Sequence, residues 1–208
     1  MADPLSGSTA TERTERLRPM MGPLIIVIAV ALFVWGLDQA TKQWALSSLT
    51  PGQPEPVIGE ALQWLLVRNS GAAFSIASGA TWIFTVVAFA VLGVLLWLAP
   101  RIRSRVWVLV FGLVLGGTIG NLTDRLFREP GFGVGHVIDF IWTPWMMPAI
   151  YNVADCAIVV GMCAFVLLTL FDVHLDGTRG EKASSTEVDS ARSEHDSNTH
   201  DAQGGAGS

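Results

Sequence analysis

Four aspartates carry the chemistry open to this chain: Asp38, Asp124, Asp139 and Asp155. Each lies in or beside an apolar stretch, where an ionisable group is a functional candidate by default. Two carboxylates held close share one proton, so at neutral pH one is a base and the other an acid. Such a pair activates water and protonates a leaving amine without a nucleophilic side chain. Asp155 is the clearest member, being the only charge in the run Ile150–Phe171. Its partner is Asp124 or Asp139. Asp124 neighbours Arg125 and Arg128 and could be held ionised in a salt-bridge network, whereas Asp139 sits between Ile138 and Phe140, where desolvation raises a carboxyl pKa. Desolvation favours Asp139, modestly.

The polar residues around these acids divide into structural and functional candidates. Asn121-Leu-Thr-Asp124 and Asn152-Val-Ala-Asp155 both place an amide and an acid at i,i+3, on one helical face. In Asp38-Gln-Ala-Thr-Lys42 the acid and the lysine are i,i+4 and pair across one turn. A lysine beside a carboxylate stays protonated, which argues against a Ser–Lys protease. Asn69-Ser-Gly71 offers an amide and a glycine where backbone can approach a ligand. His136 reads as a hydrogen-bonding loop residue, and His174, His195 and His200 are too dispersed for a metal site. No His-Glu-x-x-His motif occurs, so zinc proteolysis has no ligands here.

The elements that must position these groups are membrane spans. Half of the 208 residues are hydrophobic and 15% are charged, where a soluble domain carries about 25%. Eight of the 18 acidic residues but three of the 13 basic ones lie in 172–208; the net charge of −5 therefore belongs to that tail, and no basic patch offers itself to nucleic acid. Uncharged runs cover residues 19–37, 69–100, 106–123 and, but for Asp155, Ile150–Phe171. Gly71 and Gly79 mark the front of the second run as loop, leaving a helix near Ala80–Ala99. Each span has about 20 residues, enough for a ~30 Å hydrocarbon core. A cleaved signal peptide is a weaker reading of the first run, because no small-x-small site follows it. Gly112, Gly116 and Gly120 form the small-residue ridge that lets helices pack closely in lipid.

Lys and Arg counts orient the chain. Nine lie in the N-terminal arm, the loop Pro100–Arg105 and the tail, against four on the other side (Lys42, Arg68, Arg125, Arg128), which puts both termini in the cytoplasm. Helical rise then sets depth. Asp38 lies 20 residues beyond Arg18, Asp124 19 beyond Arg105 and Asp155 17 before Asp172, or about 30, 28 and 25 Å from the inner face. Three carboxylates from three helices reach one outer-leaflet depth, and Asp139 can join them. In the outer segments, Thr50–Pro56 is too Pro-rich for helix, Leu62, Trp64 and Leu66 alternate as a short strand, and Trp142 and Trp145 with Pro144 and Pro148 suggest an interfacial segment. The tail reads as disordered. Cys156 and Cys163 would lie about 10 Å apart along a helix, too far to bridge.

Five boxes together resemble the bacterial lipoprotein signal peptidase (signal peptidase II) family: Asp38–Lys42, Asn69–Phe74, Gly116–Arg125, Val137–Phe140 and Tyr151–Cys156, in the family's order over residues 24–171. The resemblance implies an all-α polytopic membrane protein of four transmembrane helices, with a small extracytoplasmic β-cradle and a lid helix. Residues 1–22 would be a cytoplasmic arm, 23–171 the peptidase domain and 172–208 the tail. It further implies an aspartic endopeptidase of the bacterial inner membrane that cuts diacylglyceryl-modified prolipoproteins before the lipidated cysteine, without a cofactor, and is inhibited by the cyclic peptide globomycin. Its dyad would be Asp139 and Asp155, with Asp38, Lys42, Asn69, Gly71, Asn121, Asp124, Arg125 and Asn152 binding substrate or holding the site. A monomer in contact with membrane lipid is expected. Tyr151 and Cys156 depart from the family's usual residues, and the acidic tail lies outside its pattern. The rival reading is a small proton-coupled transporter or flippase using the same carboxylates, which predicts acids spread through the membrane depth.

Overall fold

The computed structural model describes residues 9–71, 81–175 and 178, with side chains from Gly22 onward. Its helices are α1 (Thr9–Ser48), α2 (Thr81–Leu98), α3 (Arg105–Phe127) and α4 (Val153–Leu170), with a 3-10 turn at Ala99–Arg101. Four stretches are long and apolar enough to cross a membrane: Gly22–Ser48, Thr81–Arg101, Arg105–Phe127 and Val153–Leu170. The helices turn apolar side chains outward. On α2 the buried residues are Thr81 and Thr85, while Trp82, Ile83, Val86 and Val87 are exposed. That inversion suits lipid as solvent, where burial no longer rewards apolar groups.

Helix α3 is the centre of the bundle, because its glycines let two neighbours come close. A Cβ at Gly112 or Gly116 would sit 2.6 Å from Val30 Cβ or 2.7 Å from the Ala31 carbonyl on α1. One at Gly117 would sit 2.5 Å from the Ala154 carbonyl on α4. The ridge thus serves α1, and Gly117 opens a second contact face that the four-residue repeat does not include.

The helices do not coincide with the apolar runs. The first runs past its uncharged stretch to Ser48, with Asp38 and Lys42 paired across a turn at 2.8 Å as their spacing implies. The fourth starts at Val153 rather than Ile150. Asn152 is extended (φ −136°, ψ −176°) and caps α4, its side chain accepting from Asp155 N while Asp155 accepts from Asn152 N.

At one end of the bundle lies a four-stranded antiparallel sheet in the order β1 (Glu55–Ile58), β2 (Leu62–Asn69), β3 (Val137–Trp142), β4 (Ile150–Tyr151). The expected strand at Leu62–Leu66 is β2. The aspartate box Val137–Phe140, for which no strand was expected, is β3; it pairs Val67 with Asp139 and Asn69 with Val137. Ile138 and Phe140 join Ala45, Leu49 and Leu66 in a core between sheet and α1, edged by Trp44 and Trp64 with ring centroids 5.4 Å apart. Alternation then turns Asp139 to the opposite face.

The interfacial segment expected around Trp142 and Trp145 is the β3–β4 connection, tied down by Trp145 Nε1 donating to the Ala61 carbonyl at 2.9 Å. The described segments at the sheet end contain no lid helix; residues 72–80, and with them the end of the Asn69–Phe74 box, lie outside the described residues. At the other end, Trp107 Nε1 donates to the Val173 carbonyl (3.0 Å), and Arg103 N and Ser104 N both donate to that of Leu175 (2.9 and 3.0 Å). Residues 172–175 therefore belong with the bundle, and nearly all of the acidic tail beyond them lies outside the described residues.

Candidate active site

The polar residues singled out in the sequence gather at the sheet end of the bundle in two connected layers. The deeper layer is an ion cluster. Lys42, fully buried, lies 2.8 Å from Asp38 and 2.8 Å from Asp124, and donates to Asn121 Oδ1 at 3.0 Å. Arg128 pairs with Asp124 Oδ1 at 2.5 Å. Two carboxylates thus meet two cations, which is what allows four charges to sit in an apolar surrounding. Asp38 also accepts from Ala154 N (3.0 Å) and Asp124 from Ile138 N (3.2 Å), fastening α4 and β3 to the cluster. Asp124 is therefore engaged on both oxygens, by Lys42 and Arg128 and not by Arg125.

The second layer faces a cavity of about 360 Å³ between α2, α3 and α4, whose lining includes Asp139, Asp155, Asn69, Asn121 and Arg125. Asp139 accepts from Asn69 Nδ2 on one oxygen and from Asn152 Nδ2 on the other, both at 2.7 Å. Asp155 accepts from Asn121 Nδ2 at 2.8 Å and from Asn152 N at 3.1 Å. Asn152 is wholly buried and touches both acids, and its Nδ2 also donates to Asn121 Oδ1 at 3.1 Å. The two acids are thus held by amides, with no cation on either carboxylate among the described residues.

Asp139 is 2% exposed, and its carboxyl pKa is raised to about 6, first by burial and further by the Asp155 charge, against the lowering effect of the Asn69 and Asn152 bonds. A carboxyl so placed keeps a proton at pH values where an ordinary aspartate has lost it.

Arg125 is buried beneath the β2 end. Its NH1 donates to the Ser70 carbonyl at 3.4 Å, and its guanidinium stands 5.1 Å from the Phe84 ring. Gly71 lies against both: its φ of +85° and a Cβ position 2.7 Å from Phe84 and 2.9 Å from Arg125 exclude a side chain. Asn69 Oδ1 accepts from Gly71 N at 2.7 Å, so one side chain sets the turn and holds Asp139. A second cavity, of about 540 Å³, opens on the sheet side of Asp139, lined by Ser70, Gly71, Arg125 and Ile150.

Nine of the ten site residues read from the sequence fall within these two layers, and Gly71 lies against Arg125 at the second cavity. Gln39 is a further member that the sequence does not single out; it donates to Asp38 (3.1 Å), to the Gly120 carbonyl (3.2 Å) and to Asp124 (3.4 Å). Arg128, one of the two arginines read in the sequence as salt-bridge partners of Asp124, is that partner at i,i+4. The cysteines are exposed and free.

Four helices long and apolar enough to cross a membrane, with two amide-held acids presented to a cavity among them, give the architecture of a polytopic membrane protein with a built polar site. The sequence profile described as Signal peptidase (SPase) II matches residues 30–171, and the chain belongs to that family. A protein named Lipoprotein signal peptidase from Leifsonia xyli subsp. xyli (strain CTCB07) is 54% identical over 179 residues, covering 86% of this chain and 82% of its own. One of the same name from Mycobacterium avium (strain 104) is 40% identical over 189 residues, covering 91% and 100%. A bacterial membrane enzyme solved by the in meso method at 2.3 Å resolution superposes with a TM-score of 0.63 at 27% identity, over 76% of this chain and 92% of the other. The family is one of peptidases, which sets the transporter reading aside.

Proposed function

We propose that this chain is a lipoprotein signal peptidase that cleaves diacylglyceryl-modified prolipoproteins just before the lipidated cysteine, with Asp139 and Asp155 as its catalytic dyad. The observation that carries the reading is the joint presentation of two amide-held carboxyls, both in contact with Asn152, to a cavity whose remaining walls are mostly apolar. Acyl chains and signal helix stay on the lipid side, and the mature chain leaves toward the more polar sheet-side cavity.

In this reading the dyad's proton sits on Asp139, the more deeply buried of the two acids. Asp155 then takes a proton from water as the hydroxide adds to the scissile carbonyl, and Asp139 gives its proton to the carbonyl oxygen. In collapse, the proton on Asp155 passes to the cysteine nitrogen as the C–N bond breaks, and the hydroxyl proton of the intermediate returns to Asp139. The products are a signal-peptide carboxyl and a free cysteine amine. Asn69 and Asn152 orient Asp139, Asn121 and Asn152 orient Asp155, and the Asp38–Lys42–Asp124–Arg128 cluster fixes the helices beneath them. Gly71 leaves room for substrate backbone, and Arg125, with no carboxylate at ion-pair distance among the described residues, offers donors to a substrate carbonyl. The protein works as a monomer in the bacterial cytoplasmic membrane, both termini cytoplasmic and the dyad near the outer face, and is inhibited by globomycin.

The test is incubation of purified protein with a precursor carrying or lacking the diacylglyceryl group, with the product mapped by mass spectrometry. Cleavage of the lipidated form alone, one bond before its cysteine, supports the proposal; cleavage elsewhere, or of neither form, overturns it.

A further inference from the structure

Between α3 and β3 the chain makes a tight, irregular excursion that, apart from Arg128, the active site does not use. Its backbone is closed by Arg128 N to the Asp124 carbonyl (3.0 Å), Val134 N to Gly131 (3.2 Å), Gly135 N to Arg125 (3.0 Å) and His136 N to Glu129 (2.9 Å). Arg128 is further anchored on the ion cluster. Yet this fastened segment holds two of the most exposed aromatic rings among the described residues, Phe127 at 79% and Phe132 at 80%.

A hydrogen bond fixes the depth of the excursion. The Gly133 carbonyl accepts from Thr85 Oγ1 at 2.6 Å, and Thr85 is buried in the second turn of α2. Arg101, stacked on Trp97 at 3.9 Å, ends the span at the far boundary. Thr85 precedes Arg101 by 16 residues, which places it about 24 Å from that boundary. Phe127 follows Arg105 by 22 residues, about 33 Å along α3. From Phe127 to Gly133 the chain therefore descends by about 9 Å, back to a level inside a ~30 Å hydrocarbon core. Irregular backbone at such depth needs its polar groups satisfied by protein. Thr85 meets that need for Gly133, which accounts for a buried threonine on a helix that turns its apolar side chains outward.

We infer that residues 130–134 form a short re-entrant turn in the leaflet at the sheet end, with Phe132 among lipid acyl chains, while Phe127 and the exposed Arg68–Glu129 pair stay at the membrane surface. The occupant of this face is bilayer lipid. Because Phe84, next to Thr85, lines both cavities, the loop also pins the cavity wall to the leaflet in which it sits. The inference rests on the spans alone and holds whatever the enzyme cleaves.

The test uses a nitroxide on Phe132→Cys in a full-length Cys156→Ser, Cys163→Ser background, reconstituted in phosphatidylcholine–phosphatidylglycerol vesicles. Collision with oxygen, which concentrates in lipid, is compared with collision with a water-soluble nickel chelate. Reference labels are Val94→Cys on the α2 outer face and Ile58→Cys on β1. The label at 132 is expected to match that at 94, with oxygen favoured about threefold or more over its ratio at 58. A ratio like that at 58 puts the loop in water and overturns the inference. Low collision with both reagents, with spin–spin broadening, assigns the face to a second copy and also overturns it. Adding Thr85→Val, with helicity checked by circular dichroism, should move the 132 label toward water; an unchanged ratio refutes the hydrogen bond as what sets the depth.

Discussion

Replacing Lys42 by Met tests whether the buried ion cluster holds the helices under the site. The substitution keeps length and apolar bulk but removes the cation lying 2.8 Å from Asp38 and 2.8 Å from Asp124. Arg128 remains on Asp124, while Asp38 keeps only the Ala154 amide and Gln39. Breaking a buried pair from one side costs about 3–5 kcal/mol, because a desolvated charge is left behind. For a chain of this size each kcal/mol moves Tm by about 2–4 °C, so the loss should be about 6–20 °C. Thermal unfolding in detergent at pH 7 and moderate salt measures it. Asp38→Asn added to Lys42→Met removes the orphaned charge and leaves Asp124 balanced by Arg128, so at least half the loss should return. A single variant within about 2 °C of wild type, or a double variant no better than the single, would refute the charge-balance reasoning.

Other expectations follow from the same geometry. Arg68→Gln breaks an exposed pair with Glu129 at 3.2 Å and should change stability by less than about 1 kcal/mol, a control for Lys42→Met in the same melts. Gly117→Ala places a Cβ 2.5 Å from the Ala154 carbonyl and should cost about 1–3 kcal/mol by parting α3 from α4, whereas Gly93→Ala, with nothing within 4 Å, should be neutral or slightly stabilising; paired melts decide. The Asp139 pKa of about 6, against 3.8 for an ordinary aspartate, means that the folded state holds a proton the unfolded chain has released. Its contribution to stability therefore falls as pH rises from about 4 to about 6, by about 3 kcal/mol in all, and is flat above; Asp139→Asn should remove that slope from Tm measured across pH 4–7.5. In kcat/KM the singly protonated dyad should be lost on the alkaline side, with a limb beginning near pH 6 in the free enzyme.

The spans were legible because lipid demands about 20 uncharged residues in a row, and α2 matches its expected bounds to a residue. The sheet was less so. In β3, Val137–Ile138 and Phe140–Ile141 read as one apolar run, since the core face and the amide-lined face of Asp139 have nearly the same polarity on paper. Ile150 and Tyr151 continue the apolar pattern of α4, and only the capping geometry of Asn152 separates them from the helix. The carboxylates were legible as a set because charge in a span is rare and helical rise converts sequence distance into depth. Their division was legible in part: Arg128, one turn from Asp124, marks that acid for a salt bridge, but Lys42 reaching Asp124 from α1 and the amides on Asp139 and Asp155 emerge only once the helices pack. Gln39 was invisible for the same reason: an uncharged amide beside Asp38 carries no signal until Gly120 and Asp124 come within reach.

The most direct measurement compares wild type with Asp139→Asn and Asp155→Asn on a diacylglyceryl-modified precursor in detergent, with folding checked by thermal shift. At position 139 the variant removes a carboxyl that is costly to ionise where it is buried but sets an amide NH₂ against Asn69 or Asn152, which both donate there; the two effects, each about 1–3 kcal/mol, oppose, so the protein should stay folded. The account predicts that both folded variants lose cleavage by about a hundredfold or more. Full cleavage by a folded Asp139→Asn protein, with loss in Asp124→Asn instead, would contradict the assignment of the dyad.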